Sequence, residues 1–183
     1  IQCCAESERE ASFRFSAALD MRMNAQGSVT AADIVNSYTQ DELEKILRLY
    51  GEVTNARNVA QLIISARKNA ALLTTDDLNN AIAPALPSFA KHKLLAKIYQ
   101  ALRIEVNGEM RSLEKFLEGA LASLKKGGRL VVISYHSLED RMVKHFMRDK
   151  LNPLTRKAVF PCETEIETNT RARSAKLRAA EKI

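Results

Sequence analysis

The residues best suited to chemistry stand in the run Ser134-Tyr135-His136-Ser137. An imidazole can take or give a proton near neutral pH. The flanking hydroxyls can donate to or accept from a substrate, a base or a cofactor. Ser134, His136 and Ser137 are therefore the candidate catalytic residues. The same residues have a plainer use: Ser137 can cap a following helix while His136 makes a structural bond. A Ser–His nucleophile pair would call for a strained Gly-x-Ser-x-Gly elbow, which the sequence lacks.

A second group is the polar stripe Gln100, Arg103 and Asn107, spaced i, i+3 and i+7 and so on one helix face. Arg103 can hold a phosphate and Asn107 can read a base edge. The alternative is the solvated side of an amphipathic helix. A third group is basic. Arg141, Lys144, Arg148, Lys150, Arg156 and Lys157 cluster in sequence, and Arg171, Arg173, Lys176 and Arg178 form a second set. Such groups neutralise nucleic-acid phosphates, though charge runs also occur simply as solvated surface.

The elements that must position these residues follow from periodicity. Leu43, Ile46, Leu47 and Tyr50 share one helix face, with Thr39 and Glu42 as a capping box and Gly51 as the stop. Val59, Leu62, Ile63 and Ala66 repeat that pattern. Thr75 caps a short third helix ending before Pro84, and Pro84 and Pro87 mark a loop. A helix from about His92 to Val106 carries apolar Leu95, Ile98, Tyr99, Leu102 and Val106 on one side. The next carries Met110, Leu113, Leu117, Ala120, Leu121 and Leu124 and stops at Gly127-Gly128. Leu130-Val131-Val132-Ile133 is a short continuous apolar run, as expected of a strand covered on both faces in a parallel sheet. A helix begins near Ser137, with Val143 and Phe146 inward. Alternation of Ala175, Leu177 and Ala179 with Lys176 and Arg178 predicts a closing strand. The order of elements predicts an α/β fold, and the histidine turn falls at the C-terminal end of the buried strand, where open α/β sheets bind ligands.

Composition narrows the class. The chain has 183 residues, with 28 Lys and Arg against 22 Asp and Glu, a net charge of +6. A basic balance favours polyanionic partners such as RNA. Cys3 and Cys4 are adjacent and Cys162 stands alone, so no disulfide framework and no metal site are expected, and a cytoplasmic setting is the simplest reading. No apolar run reaches transmembrane length. There is no Gly-rich strand-to-helix loop, and no acidic residue follows a second parallel strand to take a ribose.

At residues 127–141 the run Gly-Gly-Arg-Leu-Val-Val-Ile-Ser-Tyr-His-Ser-Leu-Glu-Asp-Arg resembles the signature GGRLVVISFHSLEDR of the RsmH/MraW family, ribosomal RNA small-subunit cytosine-N4 methyltransferases. Three further stretches resemble family segments in the same order. Leu19-Asp20-Met21-Arg22-Met23 is similar to PLDMRM. Residues Tyr99 to Asn107 are similar to FQALRIxVN, and Arg171 to Arg178 to RARSAKLR. Tyr135 stands in place of Phe, and Ala11 where the family usually has Gly.

The resemblance implies a Rossmann-like S-adenosylmethionine-dependent methyltransferase domain interrupted by an inserted α-helical domain, of which this chain holds the C-terminal part of the sheet. It divides the chain into residues 1–23 as a linker from an N-terminal half, 24–95 as the helical insertion, and 96–183 as the returning sheet domain. It implies N4-methylation of a cytosine in 16S ribosomal RNA, with the amine attacking the sulfonium methyl. S-adenosylmethionine would be bound mainly by the N-terminal half, with no cofactor-binding residue in this chain, which would be inactive alone. The partners expected are 16S ribosomal RNA and the small ribosomal subunit, with Gln100, Arg103, Asn107, Arg141, Lys144, Arg171 and Arg173 as substrate-binding candidates. An exposed sheet edge would also favour a homodimer. The rival reading is a non-catalytic RNA-binding or protein-interaction module.

Overall fold

The computed structural model describes residues 16–24 and 26–183. The adjacent cysteines Cys3 and Cys4, the aromatic pair Phe13 and Phe15, and Ala11 lie outside the described residues. The chain packs as two compact units, Ile1–Gly108 and Glu109–Ile183.

The first unit is helical. Helices α1 (Ala31–Ser37), α2 (Gln40–Gly51), α3 (Ala56–Arg67), α4 (Thr75–Ile82) and α5 (Lys91–Asn107) follow in order. Three of them open with the same device. Thr30, Thr39 and Thr74 each accept from the N–H of an acidic residue three positions on, and Asp33, Glu42 and Asp77 each return a bond to the cap's own N–H. These boxes satisfy backbone donors that helix starts leave unpaired. The cap of α4 is Thr74, one residue before the expected Thr75, which lies inside the helix and is buried.

Gly51 does not stop α2. It is the last helical residue, and Glu52 adopts the left-handed conformation that ends the helix. Gly51 is needed for another reason: a Cβ there would lie 2.7 Å from the carbonyl oxygen of Lys97 and 3.3 Å from the Ala101 Cβ. The glycine lets α5 approach α2 closely, and Ile98, Ala101 and Leu102 then pack on Leu43, Ile46 and Leu47 within one buried cluster.

The stretch before α1 is stitched into this unit. Ala18 bridges Thr74, the Leu19 N–H donates to the Leu73 carbonyl, and the Leu19 side chain is 2% exposed. Met21 then takes a φ of +61°, unfavourable for a side chain with a Cβ.

The second unit is α/β. Helix α6 (Glu109–Ser123) leads to strand β1 (Arg129–Ser134), helix α7 (Ser137–Lys150), the short strand β2 (Asn152–Pro153), helix α8 (Glu163–Thr168) and strand β3 (Lys176–Glu181). The sheet order is β1-β3-β2 and both pairings are antiparallel, with Arg129 opposite Glu181 and Ser134 opposite Lys176. The closing strand expected from the alternation near the C-terminus is therefore present. The parallel, doubly covered strand is not what the described residues form. β1 pairs antiparallel with β3, and along it Val131 and Ile133 are 56% and 53% exposed. Only one face is packed, with Leu130 and Ala180 joining Leu117, Val143, Met147 and Leu151. A continuous apolar run cannot by itself tell a strand with two cover layers from one with a single layer.

Helix α6 ends at Ser123, before Leu124 and four residues short of the expected Gly127-Gly128 stop, and the glycines instead form the turn into β1. Gly127 has φ +78°, and its N–H donates to the Lys182 carbonyl, so the turn out of α6 is already on the sheet ladder. The Lys182 ammonium donates to the Leu121 and Leu124 carbonyls, satisfying acceptors at the end of α6.

Candidate functional site

The turn from β1 into α7 holds the catalytic candidates. Ser134 ends the strand, buried, its hydroxyl 3.4 Å from the Lys176 carbonyl. His136, not Ser137, is the helix cap. Its Nδ1 accepts from the Glu139 N–H at 3.4 Å, while the Glu139 carboxylate accepts from the N–H groups of Tyr135 at 3.0 Å and His136 at 3.4 Å. A capping box with an imidazole in place of a hydroxyl results. Ser137 becomes the first helical residue and is exposed. The difference from expectation lies in backbone geometry, because the residue with extended dihedrals, at φ −132° and ψ 163°, is His136.

This arrangement restricts what His136 can do. With Nδ1 accepting a backbone proton, Nε2 carries the ring N–H in the neutral tautomer. Nε2 is buried, lies 3.1 Å from Glu139 Oε1, and is too poorly aligned there to make a hydrogen bond. Neither ring nitrogen is bonded to Ser134 or Ser137. Burial opposes the Glu139 carboxylate's charge most strongly, but the contact with His136 and the bond from the Tyr135 N–H together hold its pKa below the ordinary value.

One turn into α7 is a feature that the sequence reading missed. The Asp140 carboxylate takes a two-pronged contact from Arg178 of β3, at 2.7 Å from Nε and 3.1 Å from Nη2. Both side chains are nearly enclosed, at 13% and 11% exposure, and the Lys176 ammonium stands 3.9 Å away. The bonds from Arg178 are the chief cause of a lowered Asp140 pKa. The pair locks α7 to the closing strand beside the histidine turn. The available signal was that its two partners sit in two of the four recognisable stretches; nothing in either stretch alone paired them.

The stripe on α5 is engaged within its own unit. Gln100 Nε2 donates to the Tyr50 carbonyl at 3.0 Å. Asn107 Nδ2 donates to the carbonyls of Met21 at 2.9 Å and Arg103 at 2.8 Å, and its Oδ1 accepts from the Met23 N–H at 2.7 Å. This one amide thus clamps the backbone on both sides of Arg22, directly after the left-handed Met21. Asp20 and Arg22 brace the turn from within: Nε and Nη2 of Arg22 each lie 2.7 Å from a different Asp20 oxygen, while Nη1 donates to the Gly27 carbonyl. The bond from Arg22 is the main reason that Asp20 has a lowered pKa. Arg103 lies half-buried between the two amides.

Arg141, Lys144, Arg171 and Arg173 are exposed in the second unit, the first two on α7 and the others in the 3-10 turn Thr170–Ser174. Among the described residues no group of three His, Cys, Asp or Glu is placed to hold a metal. No helix there is long and apolar enough to cross a membrane.

The whole of residues 3–183 matches the model of the MraW methylase family. The chain belongs to that family. Among relatives named "Ribosomal RNA small subunit methyltransferase H", that of Bacteroides thetaiotaomicron is 47% identical over 97% of this chain and 64% of its own length. That of Flavobacterium psychrophilum is 48% identical over 96% and 66%, and that of Elusimicrobium minutum 45% identical over 97% and 62%. This MraW-family chain therefore spans just under two thirds of the length of the relatives it matches.

Proposed function

We propose that this chain is the C-terminal part of an S-adenosylmethionine-dependent methyltransferase that modifies the N4 amine of a cytosine in 16S ribosomal RNA within the small ribosomal subunit. The observation that carries the proposal is near-complete coverage by relatives of 45–48% identity that bear a ribosomal RNA methyltransferase name.

The bare side of the second unit supports the accompanying fold reading. β1 has a strand partner on only one edge among the described residues, and Val131 and Ile133 project uncovered. A strand this apolar suits the interior of a larger sheet. We assign β1-β3-β2 to the end of a Rossmann-like sheet, and the helices before α5 to an insertion in it.

The histidine turn is poorly suited to the cofactor. At the histidine turn, the amides that could meet an anionic or carboxylate group already bond to Glu139, and Glu139 brings its own negative charge. The cofactor is assigned to the third of the relatives' length that this chain does not span. What these residues supply is position: His136 and Glu139 set the start of α7, Asp140 and Arg178 hold it to the sheet, and Arg141, Lys144, Arg171 and Arg173 offer charge to RNA backbone.

The test is to express the longest open frame containing this sequence and supply it with S-adenosylmethionine and small ribosomal subunits. Mass spectrometry of the digested RNA should show N4-methylcytosine. A methyl group at another atom, or none, would remove the reading. This chain alone should show no heat of S-adenosylmethionine binding in calorimetry. The engaged amides of the histidine turn favour a second reading for the chain by itself, a non-catalytic RNA-binding module, and retained RNA affinity without cofactor affinity would support it.

A further inference from the structure

The first unit carries an exposed feature that none of its packing uses. Between α4 and α5 the chain makes two single 3-10 turns, Ala83–Ala85 and Ser88–Ala90, set by Pro84 and Pro87. Phe89, at the tip, is 92% exposed, far more than the other uncovered aromatic and aliphatic side chains in its unit, such as Leu73 at 60% and Leu49 at 52%. An isolated phenyl ring held in water on a proline-stiffened loop has no structural use. α5 already buries Leu95, Ile98, Tyr99 and Leu102, and the core does not draw on Phe89.

The chain after the ring is basic. Lys91, His92 and Lys93 follow at once and are exposed, and neither lysine forms an ion pair among the described residues. No Asp or Glu occurs anywhere between Asp77 and Glu105. The same loop borders an open depression of about 430 Å³ whose lining includes Thr54, Asn55, Pro84, Leu86, Pro87 and Leu94. Arg57, exposed on the first turn of α3, follows the lining residues Thr54 and Asn55 in the chain and adds a further cation.

We propose that Phe89 and the Lys91-His92-Lys93 segment form a single-stranded RNA contact, with one base stacked on the phenyl ring and the lysines on the flanking phosphates. An exposed ring followed within four residues by two exposed lysines, in a stretch of chain without Asp or Glu, combines the π-face and the cations that a stacking platform uses. One ring on a loop that borders an open depression suits one unpaired base and not the minor groove of a duplex, which is read by shape and 2′-hydroxyl contacts. An anionic membrane is less well matched, because interfacial binding needs a broad apolar helix face and the apolar face of α5 is turned into the core. This inference rests on the reading of the chain as RNA-directed and deepens it by naming where an unpaired nucleotide is held.

The experiment uses this chain, a fluorescently labelled unstructured RNA oligonucleotide and anisotropy at several salt concentrations. Phe89→Ala should weaken binding about tenfold and Phe89→Trp should restore it. Lys91→Gln with Lys93→Gln should flatten the plot of log affinity against log salt by roughly 1.4, two phosphate contacts at about 0.7 each. Arg171→Gln with Arg173→Gln provides the contrast in the other unit. If RNA binds and only the Arg171 and Arg173 variant weakens it, the Phe89 contact is wrong while the RNA reading stands. If no RNA binds, both fall. Binding of phosphatidylserine vesicles that depends on Phe89, without any such dependence for RNA, would also overturn the proposal.

Discussion

The two units solve the problem of burial differently. The first closes on itself: its buried cluster runs unbroken from Leu19 through α1 to α5, and its helix starts are finished by three threonine-led capping boxes. The second covers one side only. Leu117, Leu130, Val143, Met147, Leu151 and Ala180 make its whole buried cluster, while Val131 and Ile133 on the opposite face of β1 stand in solvent. A helix needs one apolar stripe covered, and neighbouring helices suffice. A sheet has two faces and two edges, and each one left open loses burial energy and exposes unpaired backbone. The lesson is that the first unit covers its own apolar surface, while the second leaves one sheet face bare and relies on the enclosed Asp140–Arg178 pair to hold helix to strand.

The largest expected effect tests that self-sufficiency. Ile98→Ala, at the centre of the first unit's core, should cost about 3–4 kcal/mol. In hydrogen exchange, amides of α1 to α5 should lose protection while β1 and β3 keep theirs. Equal loss in both would mean that the units unfold as one and would break the comparison.

Next comes the lock of the second unit. Asp140→Ala leaves the enclosed Arg178 without its partner and should cost about 2–3 kcal/mol, read in the protection of β3. Its pH dependence follows. The folded Asp140 pKa lies below the unfolded value near 3.8. The stabilisation is therefore complete above that value and is lost as pH falls through the lower folded pKa. In an acid titration, Asp140→Ala should have a smaller slope in this range than the parent chain. Parallel curves would mean that the pair contributes nothing.

Thr39→Ala removes one side of the capping box on α2 and should cost about 1 kcal/mol, confined to the first unit. The smallest effect sharpens the contrast most. Ile133→Thr should change the stability of this chain by no more than about 0.5 kcal/mol, since the side chain is already largely in water. In a protein of the relatives' full length the same change should cost about 2 kcal/mol or more by chemical denaturation, if further chain covers that face. A cost equally small in both would show that the face stays bare.

Sequence by itself determined the local elements. The 3.6-residue spacing of Leu43, Ile46, Leu47 and Tyr50, the Thr39–Glu42 box, the Gly127-Gly128 turn before β1 and the alternation before Ile183 were legible because each depends on neighbours within one or two turns of chain. The four family-like stretches were legible for the same reason. Cap positions slipped by a residue, from Ser137 to His136 and from Thr75 to Thr74, because several adjacent side chains could cap and only the backbone dihedrals choose among them. Tertiary structure alone decided the rest. It paired Asp140 with Arg178 across 38 positions, engaged Asn107 on the backbone of Met21 and Met23, explained Gly51 by the approach of Lys97, and left one face of β1 open. Each of these depends on which surfaces meet in space, and residues far apart in the chain carry no mark of their future partners until burial makes an unpaired charge, an unmet donor or an extra methyl group costly.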